Sequence, residues 1–331
     1  MKYGVSKLKV ESKKYNVSKT LPNVLLIGNG VLQSLAEING IKTRNWSESL
    51  IKLSDEPMTE AQKEKLKGIP YSVKATIVAS AKDTNRNKKY EEVFKTLKVK
   101  DYSLLNDLVS IGFDSILTTN YTYEIENCFL HKFSDIKVKD KKKYACQIKR
   151  KSLKGKTDPK YLIHTYNQVN ESPPVWHIHG EERRKSSIVL THDEYARLLQ
   201  KLLEENKVNK NKYVEYENEV KYKSWLDYFL MSNLYIVGLG MDFSEFDLWW
   251  ILNRRMRENQ KSGKITYFKT IYDDNNIVNA LSHLNINVQE IDVAEAYDIT
   301  SYYIKFYKQV TEYIKKNIEF SKGVLRNEKA N

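Results

Sequence analysis

Two short segments of the chain each combine an apolar run with polar side chains that could do chemistry. ILTTNY, residues 116–121, carries Asn120 near its end, and WHIHG, residues 176–180, carries His177 and His179. Each apolar run has the length of a buried strand, and an open parallel sheet presents its ligand at the carboxyl ends of such strands. The period-two rule for strands places the two histidines on one face. The two segments therefore predict a nucleotide site.

The polar residues of these segments each have a structural and a chemical interpretation. An asparagine after a strand can cap the next helix, or its amide can hold a ribose hydroxyl or a water. A histidine on an apolar strand can be a core residue, or its imidazole can act as a general base. His179 directly precedes Gly180, where the backbone can approach a ligand closely. We therefore favour His179 as the base, oriented by His177, and Asn120 as the residue that positions ribose or water.

Gly28, Asn29 and Gly30 follow the apolar run NVLLI at residues 23–27. A helix predicted at about residues 31–38 would begin on this loop, so its free backbone N–H groups would face whatever lies there. The loop has neither a third glycine nor the lysine of a triphosphate-binding loop. It is interpreted either as a phosphate-binding loop in outline or as a plain tight turn.

A second glycine loop follows the apolar run at residues 234–237 and contains Gly238, Gly240 and Asp242. The carboxylate of Asp242 could reach ribose hydroxyls in a dinucleotide crevice. Asp247 lies a few residues further on, where a helix is predicted to begin. Its simplest interpretation is part of the cap of that helix.

Apolar strand runs alternate with helical patterns along the chain, which predicts an α/β, Rossmann-like fold with a doubly wound, mainly parallel sheet. The strand markers are Val24, Ile116, Val175, Val189, Ile236, Ile265 and Val288. An arm is predicted at residues 1–22, one domain at 23–320 and a loose tail at 321–331. Within the domain, a charged helical insertion at about 40–100 is expected to cover the site, and a basic loop or lid is expected at about 133–160.

The composition is that of a globular protein with a basic surface. Of the 331 residues, 41% are hydrophobic and 29% are charged, and the formal net charge is +13. The densest lysine runs, at residues 137–156 and 207–223, indicate either a solvated surface or a face that binds nucleic acid. The solvated surface is favoured, since lysines are spread along the whole chain.

Two cysteines occur, Cys128 and Cys146, and they stand far apart. Two cysteines exclude a disulfide framework and a four-cysteine zinc site, and no metal is predicted. No window has the length and apolarity of a signal peptide or a membrane span. We therefore expect a cytoplasmic location, reduced thiols and no membrane partner.

Four motifs taken together resemble the sirtuin family, in particular the divergent bacterial sirtuin-like NAD hydrolases of anti-phage defence. They are GNG at 28–30, TTNY at 118–121, HIHG at 177–180 and GLGMDF at 238–243. The first three stand where the family has its amino-terminal glycine loop, its TQN motif and its catalytic HG. The fourth falls where such proteins carry a later glycine-containing nucleotide loop.

The resemblance implies an NAD-binding catalytic domain in which Asn120 positions ribose and water and His179 is the catalytic histidine. NAD would be the substrate, with its pyrophosphate near the first glycine loop. The residues predicted to bind NAD are Gly28, Asn29, Gly30, Thr119, Tyr121, His177, Gly238, Gly240 and Asp242.

Two departures from the family pattern shape the functional prediction. The four-cysteine zinc module of deacylating sirtuins is missing, which disfavours a deacylase. Thr122 stands where sirtuins have an aspartate, so recognition of the nicotinamide amide is left to other residues, with Glu124 or Glu126 as candidates. The predicted function is hydrolysis of NAD to nicotinamide and ADP-ribose by a regulated anti-phage effector, restrained by homo-oligomerisation or by a partner protein.

Three alternatives remain open at this stage. The chain could bind NAD or ADP-ribose without cleaving it, as a sensing module. It could associate with nucleic acid through its basic runs. It could also transfer ADP-ribose to protein instead of to water.

Overall fold

The computed structural model describes most of the chain. The described residues are 21–43, 45–79, 83–134, 148–152, 162–166, 173–215, 222, 224–258, 262–293 and 296–328. The predicted arm lies outside them except for residues 21 and 22. Most of the predicted basic loop at 133–160 and part of the lysine run at 207–223 lie outside them as well.

Eight strands form one sheet. They are β1 (Asn23–Ile27), β2 (Ser115–Thr118), β3 (Ile148–Ser152), β4 (Leu162–Tyr166), β5 (Val175–His177), β6 (Asn233–Val237), β7 (Ile265–Lys269) and β8 (Asn287–Glu290). Their order across the sheet is β3-β4-β5-β2-β1-β6-β7-β8. The six strands from β5 to β8 in this order pair in parallel, whereas β3 and β4 are antiparallel additions at one edge.

Helices connect and cover the strands. They are α1 (Asn29–Ile38), α2 (Trp46–Ile51), α3 (Glu60–Lys65), α4 (Tyr71–Val78), α5 (Asp83–Val93), α6 (Ser103–Val109), α7 (Glu124–Ser134), α8 (His192–Glu215), α9 (Trp225–Met231), α10 (Phe246–Glu258), α11 (Asn275–His283) and α12 (Ile299–Glu328). The predicted α/β, Rossmann-like arrangement with a mainly parallel sheet is thus confirmed. Helix α12 continues to Glu328, through most of the segment predicted as a loose tail.

Successive residues of β1 enter two different cores, as the alternation of side chains along a strand requires. Val24 and Leu26 pack with residues of α8, α9 and α10 on one face of the sheet. Leu25 and Ile27 pack with residues of α1, α6, α7 and α12 on the other face. All four side chains are completely buried. Each contributes about 1.5–3 kcal/mol by burial, so β1 is held from both faces.

The helical insertion has a core of its own that docks onto the loops after β2 and β5. Leu50 of α2 and Tyr90 of α5 belong to this core, with Leu53 and Phe94 just after these helices and Tyr121 from the loop after β2. The ring centroids of Phe94 and Tyr121 are 4.6 Å apart. This packing fixes the insertion beside the carboxyl ends of the central strands.

Several elements differ from those that the periodicity predicts. The segment predicted as a strand at residues 188–190 is extended but pairs with no named strand among the described residues, and its Val189 N–H donates to the carbonyl of His179 at 2.8 Å. Strand β3 falls inside the segment predicted as a basic loop.

The chain reverses its direction of travel across the sheet at β1. It moves from β1 to β2 and on to β5, then returns to pair β6 with the free edge of β1. Open α/β sheets bind ligands at such a switch point, beyond the carboxyl ends of the strands. The loops after β1, β2, β5 and β6 meet there. Within the part of the chain that the structure describes, no helix has the length and apolarity to cross a membrane.

Candidate active site

A cleft of about 1660 Å³ opens at the carboxyl ends of the central strands, and the helical insertion forms one of its walls. Most of the residues predicted from sequence to act or to bind NAD line it. They are Asn29, Gly30, Thr119, Asn120, Tyr121, His179, Gly238, Gly240 and Asp242. Gly28 and His177 are not among the lining residues.

The two glycine loops pack directly against each other. The N–H groups of Gly28 and Gly30 donate to the carbonyls of Val237 and Gly238, at 2.9 and 2.8 Å. A Cβ atom on Gly28 would lie 2.4 Å from the Gly238 carbonyl oxygen, a clash between backbones that only glycine avoids. Two of the amides expected to face a phosphate are therefore already used to join the loops.

Asn120 is held at the end of β2 by two flanking hydrogen bonds. Its N–H donates to the Thr118 hydroxyl at 3.1 Å, and that hydroxyl donates to the carbonyl of Ile27 at 3.0 Å. Its carbonyl oxygen lies 2.7 Å from Nδ1 of His177. The residue is only 7% exposed, yet its side-chain Nδ2 has no hydrogen-bond partner. A buried donor left unpaired costs about 1–3 kcal/mol, so this amide is arranged for an acceptor on a ligand or a water.

His177 forms a completely buried pair with Glu126 of α7. Its Nε2 lies 2.6 Å from Oε1 of Glu126, and both side chains have no exposed surface. Burial lowers the pKa of His177, but the Glu126 carboxylate and the Asn120 carbonyl outweigh this effect and place the pKa above its usual value. The imidazole ring thus links α7 to the backbone of Asn120.

His179 forms a second buried pair, with Asp247 of α10. Its Nε2 lies 3.0 Å from Oδ2 of Asp247, and the side chains are 2% and 0% exposed. Because a carboxylate can only accept, the hydrogen bond places the proton on Nε2 and leaves the lone pair of the neutral ring on Nδ1. The ring of Tyr195 meets the imidazole edge-on at 5.3 Å between centroids. Unlike His177, His179 lies on the cleft wall.

The turn after His179 depends on glycine. Gly180 has a φ of 93°, in the left-handed region that side chains disfavour. A Cβ atom there would lie 2.1 Å from the carbonyl oxygen of Ser187. The N–H of Gly180 donates to the carbonyl of His177 at 3.1 Å, which closes the turn.

This turn overturns the prediction that His177 and His179 share one face of a strand. Strand β5 ends at His177, so the period-two rule does not extend to His179. His177 bonds to α7, whose residues belong to one core, and His179 bonds to α10, whose residues belong to the other. The two rings therefore lie on opposite faces, and His177 bonds to the backbone of Asn120.

The loop after β6 carries backbone strain and a carboxylate that faces the cleft. Met241 is buried and has a φ of 50°, which is uncommon for a residue other than glycine. Residues in such backbone conformations cluster at active sites and ligand-binding loops. Asp242 lines the cleft, and one of its carboxylate oxygens accepts the N–H of Ser244 at 2.8 Å. Glu245 lines the cleft too, and its enclosed Oε2 has no hydrogen-bond partner. Burial raises the pKa of Glu245 to about 7, with Asp247 and Asp242 adding to the rise and His179 opposing it.

The structure distinguishes the two glutamates considered for the nicotinamide amide. Glu126 is committed to His177 on the far side of Asn120. Glu124 lines the cleft beside Thr122 and is 1% exposed. Its Oε1 accepts the N–H of Leu97 at 2.7 Å, whereas its Oε2 has no partner. Burial raises the pKa of Glu124 to about 7.

Tyr121 serves the insertion as well as the cleft wall. Its hydroxyl donates to the carbonyl of Val189 at 2.8 Å, and its ring packs on Trp46 and Phe94. Burial places its pKa well above the usual range, so the phenol stays neutral. The residue joins the loop after β2 to the segment that follows β5.

The structure also places the first of the two cysteines. Cys128 is a buried thiol of α7, and Cys146 lies outside the described residues. Among the residues that the structure describes, no three histidine, cysteine, aspartate or glutamate side chains are grouped to hold a metal ion.

The cleft brings together a buried amide donor, an imidazole oriented by a carboxylate, and two carboxylates with an unpaired oxygen. An imidazole held by a carboxylate can accept a proton, and the amide and carboxylates can hold polar groups of a ligand. Asp247 and Glu245 are the participants that the sequence interpretation missed. Asp247 was assigned to a helix cap, and the only local signal was the pair of acidic residues at the start of a helix after a glycine loop.

The doubly wound sheet and the polar cleft at its switch point define a Rossmann-like α/β protein. A family model described as SIR2-like domain matches residues 114–288, which is more than half of the chain. The chain therefore belongs to the SIR2-like family, whose members are NAD-dependent enzymes. The matched segment contains Asn120, His179 and Asp247 and begins after β1 and the helical insertion. A comparison with curated proteins finds no match.

Proposed function

We propose that this protein is an NAD glycohydrolase, which cleaves the bond between nicotinamide and ribose to give nicotinamide and ADP-ribose. The observation that carries the proposal is that Asn120 and His179 both line one cleft at the carboxyl ends of the neighbouring strands β2 and β5. The amide has an unpaired buried donor, and the imidazole is held by Asp247 at 3.0 Å. About sixty residues separate the two in sequence, and the fold brings both to the carboxyl edge of the sheet.

The site has features that fit NAD. Its position at the switch point of the sheet is the usual place for a dinucleotide. The unpaired atoms Nδ2 of Asn120, Oε2 of Glu124 and Oε2 of Glu245 offer one donor and two acceptors to a polar ligand. The close contact of the two glycine loops leaves Asn29 and Gly30 on the cleft wall, where the pyrophosphate is proposed to lie at the start of α1.

The reaction needs positioning and one proton acceptor. The bond between C1′ and the nicotinamide nitrogen breaks, and its electron pair goes to nicotinamide, which leaves as a neutral molecule. The oxygen of a water forms a bond to C1′, and one of its protons passes to His179 and then to solvent. We assign Asn120 to hold ribose or this water, and Asp247 to hold the His179 ring in one tautomer.

We assign Glu124 to bind the amide group of nicotinamide. Sirtuins have an aspartate at the position of Thr122, and Glu124 would take over its role here. Its Oε2 can accept an N–H of the amide. Glu124 is the first residue of α7, shortly after Asn120 in sequence, and both residues line the cleft. Glu126 is not suited to this role, because its carboxylate is bonded to His177.

The biological setting follows from the family resemblance and is part of the proposal. A chain that destroys NAD would stop an infected cell from supporting phage, as an abortive-infection effector. Such an enzyme must be restrained, and we propose a homo-oligomer or a partner protein as the restraint. The cytoplasm is the proposed location, because NAD is available there.

The test is to incubate the purified chain with NAD and to follow nicotinamide and ADP-ribose by chromatography. The assay is run alone and with lysates of phage-infected and uninfected cells. We expect release by the natural chain under at least one condition, and at most a small remainder in Asn120→Ala and His179→Ala. His283→Ala is a matched control, since His283 is exposed on α11 and bonds only within its helix.

Other outcomes point to the alternatives. NAD that binds and stays intact for hours would indicate a sensing module. Labelled ADP-ribose attached to protein would indicate a transferase. Full release by Asn120→Ala and His179→Ala together would refute the assigned mechanism. Strongly salt-dependent binding to DNA or RNA would support the nucleic-acid alternative.

A further inference from the structure

Glu245 is a carboxylate on the cleft wall that no hydrogen bond explains. It directly precedes α10, two residues before Asp247, which holds the His179 ring. Its Oε2 is enclosed and has no hydrogen-bond partner. The ionised carboxylate accepts hydrogen bonds, and the protonated form, which a pKa of about 7 makes accessible, also carries one O–H donor, so this oxygen can pair with a hydroxyl of a ligand.

The polar groups around Glu245 identify the part of the ligand that would supply the donor. His179 is close enough to lower the pKa of Glu245, whereas Asp247 and Asp242 raise it. Burial raises the pKa of the Tyr195 phenol, whose ring contacts that of His179, and Glu245 raises it further. The carboxylate therefore shares its surroundings with the proposed proton acceptor. A group bound there belongs to the reacting end of the ligand.

Among the described residues, neither a lysine nor a backbone N–H is a hydrogen-bond partner of Oε2 of Glu245. Lys74 is 5% exposed and its Nζ donates to the Ser47 hydroxyl at 2.9 Å; burial lowers its pKa, and the Asp242 carboxylate opposes that shift. The N–H of Ser244, before the start of α10, donates to the Asp242 carboxylate. Asn120, 7% exposed and with an unpaired Nδ2, is a second buried side chain on the same cleft that lacks a partner.

We propose that Glu245 binds the hydroxyls of the ribose whose glycosidic bond is broken, next to His179. A ribose carries two neighbouring hydroxyls that each donate and accept, which suits a carboxylate on one side and the Asn120 amide on the other. This inference rests on the proposed function, because it assigns a ligand group within the same site. Asp247 orients the imidazole, and Glu245 contacts the substrate.

The experiment measures binding instead of catalysis, so it separates this inference from the proposed function. The ligands are ADP-ribose and its analogues lacking the 2′- or the 3′-hydroxyl of the terminal ribose. Affinities are measured by calorimetry for the natural chain, Glu245→Gln and Glu245→Asp. Glu204→Gln is the matched control, since Glu204 is exposed on α8 and does not line the cleft.

We expect the natural chain to bind ADP-ribose about 10- to 100-fold more tightly than at least one deoxy analogue, as for a hydrogen bond to a charged group. In Glu245→Gln this ratio should fall to near one, while Glu204→Gln keeps it. Glu245→Asp keeps the carboxyl group and shortens the side chain, so an intermediate ratio is expected. This variant provides the test if Glu245→Gln does not fold.

Equal ratios in the natural chain and the Glu245 variants would overturn the inference, as would absence of ADP-ribose binding. If the ratio depends on Glu245 but no nicotinamide is ever released, the glycohydrolase proposal fails and the ribose assignment stands. If nicotinamide is released and the ratio ignores Glu245, only the ribose assignment fails.

Discussion

Among the described residues, two histidines that stand two positions apart in sequence each form a buried pair with a carboxylate, and the two pairs differ in location. His177 with Glu126 is sealed behind the cleft, with no exposed surface on either side chain. His179 with Asp247 is also buried, but the imidazole lines the cleft. The first pair reaches the cleft lining through the backbone carbonyl of Asn120, 2.7 Å from Nδ1 of His177. The His177–Glu126 pair therefore has a structural role, whereas the His179–Asp247 pair is a candidate for catalysis, because only His179 of the two histidines lines the cleft.

The largest effect is expected from removing the imidazole that faces the cleft. His179→Ala should lower nicotinamide release by about 10²–10⁴-fold, the usual loss for a general base. Its thermal midpoint should fall less than that of His177→Ala, because water from the cleft can reach the Asp247 carboxylate that loses its partner. Parallel activity and calorimetric scans check both parts. A variant that keeps activity would remove the distinction between the two pairs.

The second effect concerns stability and belongs to the sealed pair. His177→Ala leaves the Glu126 carboxylate buried without its partner, and breaking such a pair costs about 3–5 kcal/mol of unfolding free energy. Denaturant unfolding measures this loss. The double variant His177→Ala with Glu126→Gln should recover part of it, because the unpaired charge is gone. No recovery would mean that lost packing, instead of the stranded charge, dominates.

The third effect tests whether Asp247 orients His179. Asp247→Asn keeps the shape of the side chain but offers a neutral amide, so the ring loses the partner that fixes its tautomer. Nicotinamide release should fall by about 10–100-fold with ADP-ribose affinity nearly unchanged. The pH profile of kcat should also move, which a purely structural change would not cause. Asp193→Asn, at the exposed start of α8, is the control.

The smallest effect is on the pH dependence of stability and concerns Glu124 of α7, which has no histidine partner among the described residues, in contrast to Glu126 on the same helix. The pKa of Glu124 is raised to about 7 by burial, so the folded chain holds a proton there that the unfolded chain has lost. Glu124 therefore lowers stability as pH rises from about 4.5 to about 7, since the unfolded state binds fewer protons in that range. Glu124→Gln should weaken this decline by about 1–3 kcal/mol.

Denaturant midpoints at intervals from pH 5 to pH 8 measure the decline. Glu60→Gln, at an exposed position of α3, is the matched control. An unchanged slope in Glu124→Gln would show that Glu124 is not the group responsible. Glu245 contributes in the same direction, because burial raises its pKa to about 7, so part of the slope should remain.

Much of the frame was predictable because burial leaves a local pattern. The strand run at 23–27 is apolar at every inner position, and the glycines after it mark the turn that packing requires. The same reasoning located Asn120 and His179 at strand ends, and both line the cleft. Element boundaries in the insertion were less predictable, since the short α4 and the charged α5 both carry weak hydrophobic periodicity.

The sequence alone thus determined the alternation of strands and helices, the glycine turns and the polar residues that end β2 and β5. Tertiary structure decided which partner each histidine has. Glu126 is 51 residues from His177 and Asp247 is 68 residues from His179, so neither pairing has a local signal. It also decided that the two rings face opposite sides of the sheet, because one turn at Gly180 ends the strand alternation. Contacts between distant residues depend on how helices pack on each face, and periodicity along one strand does not carry that information.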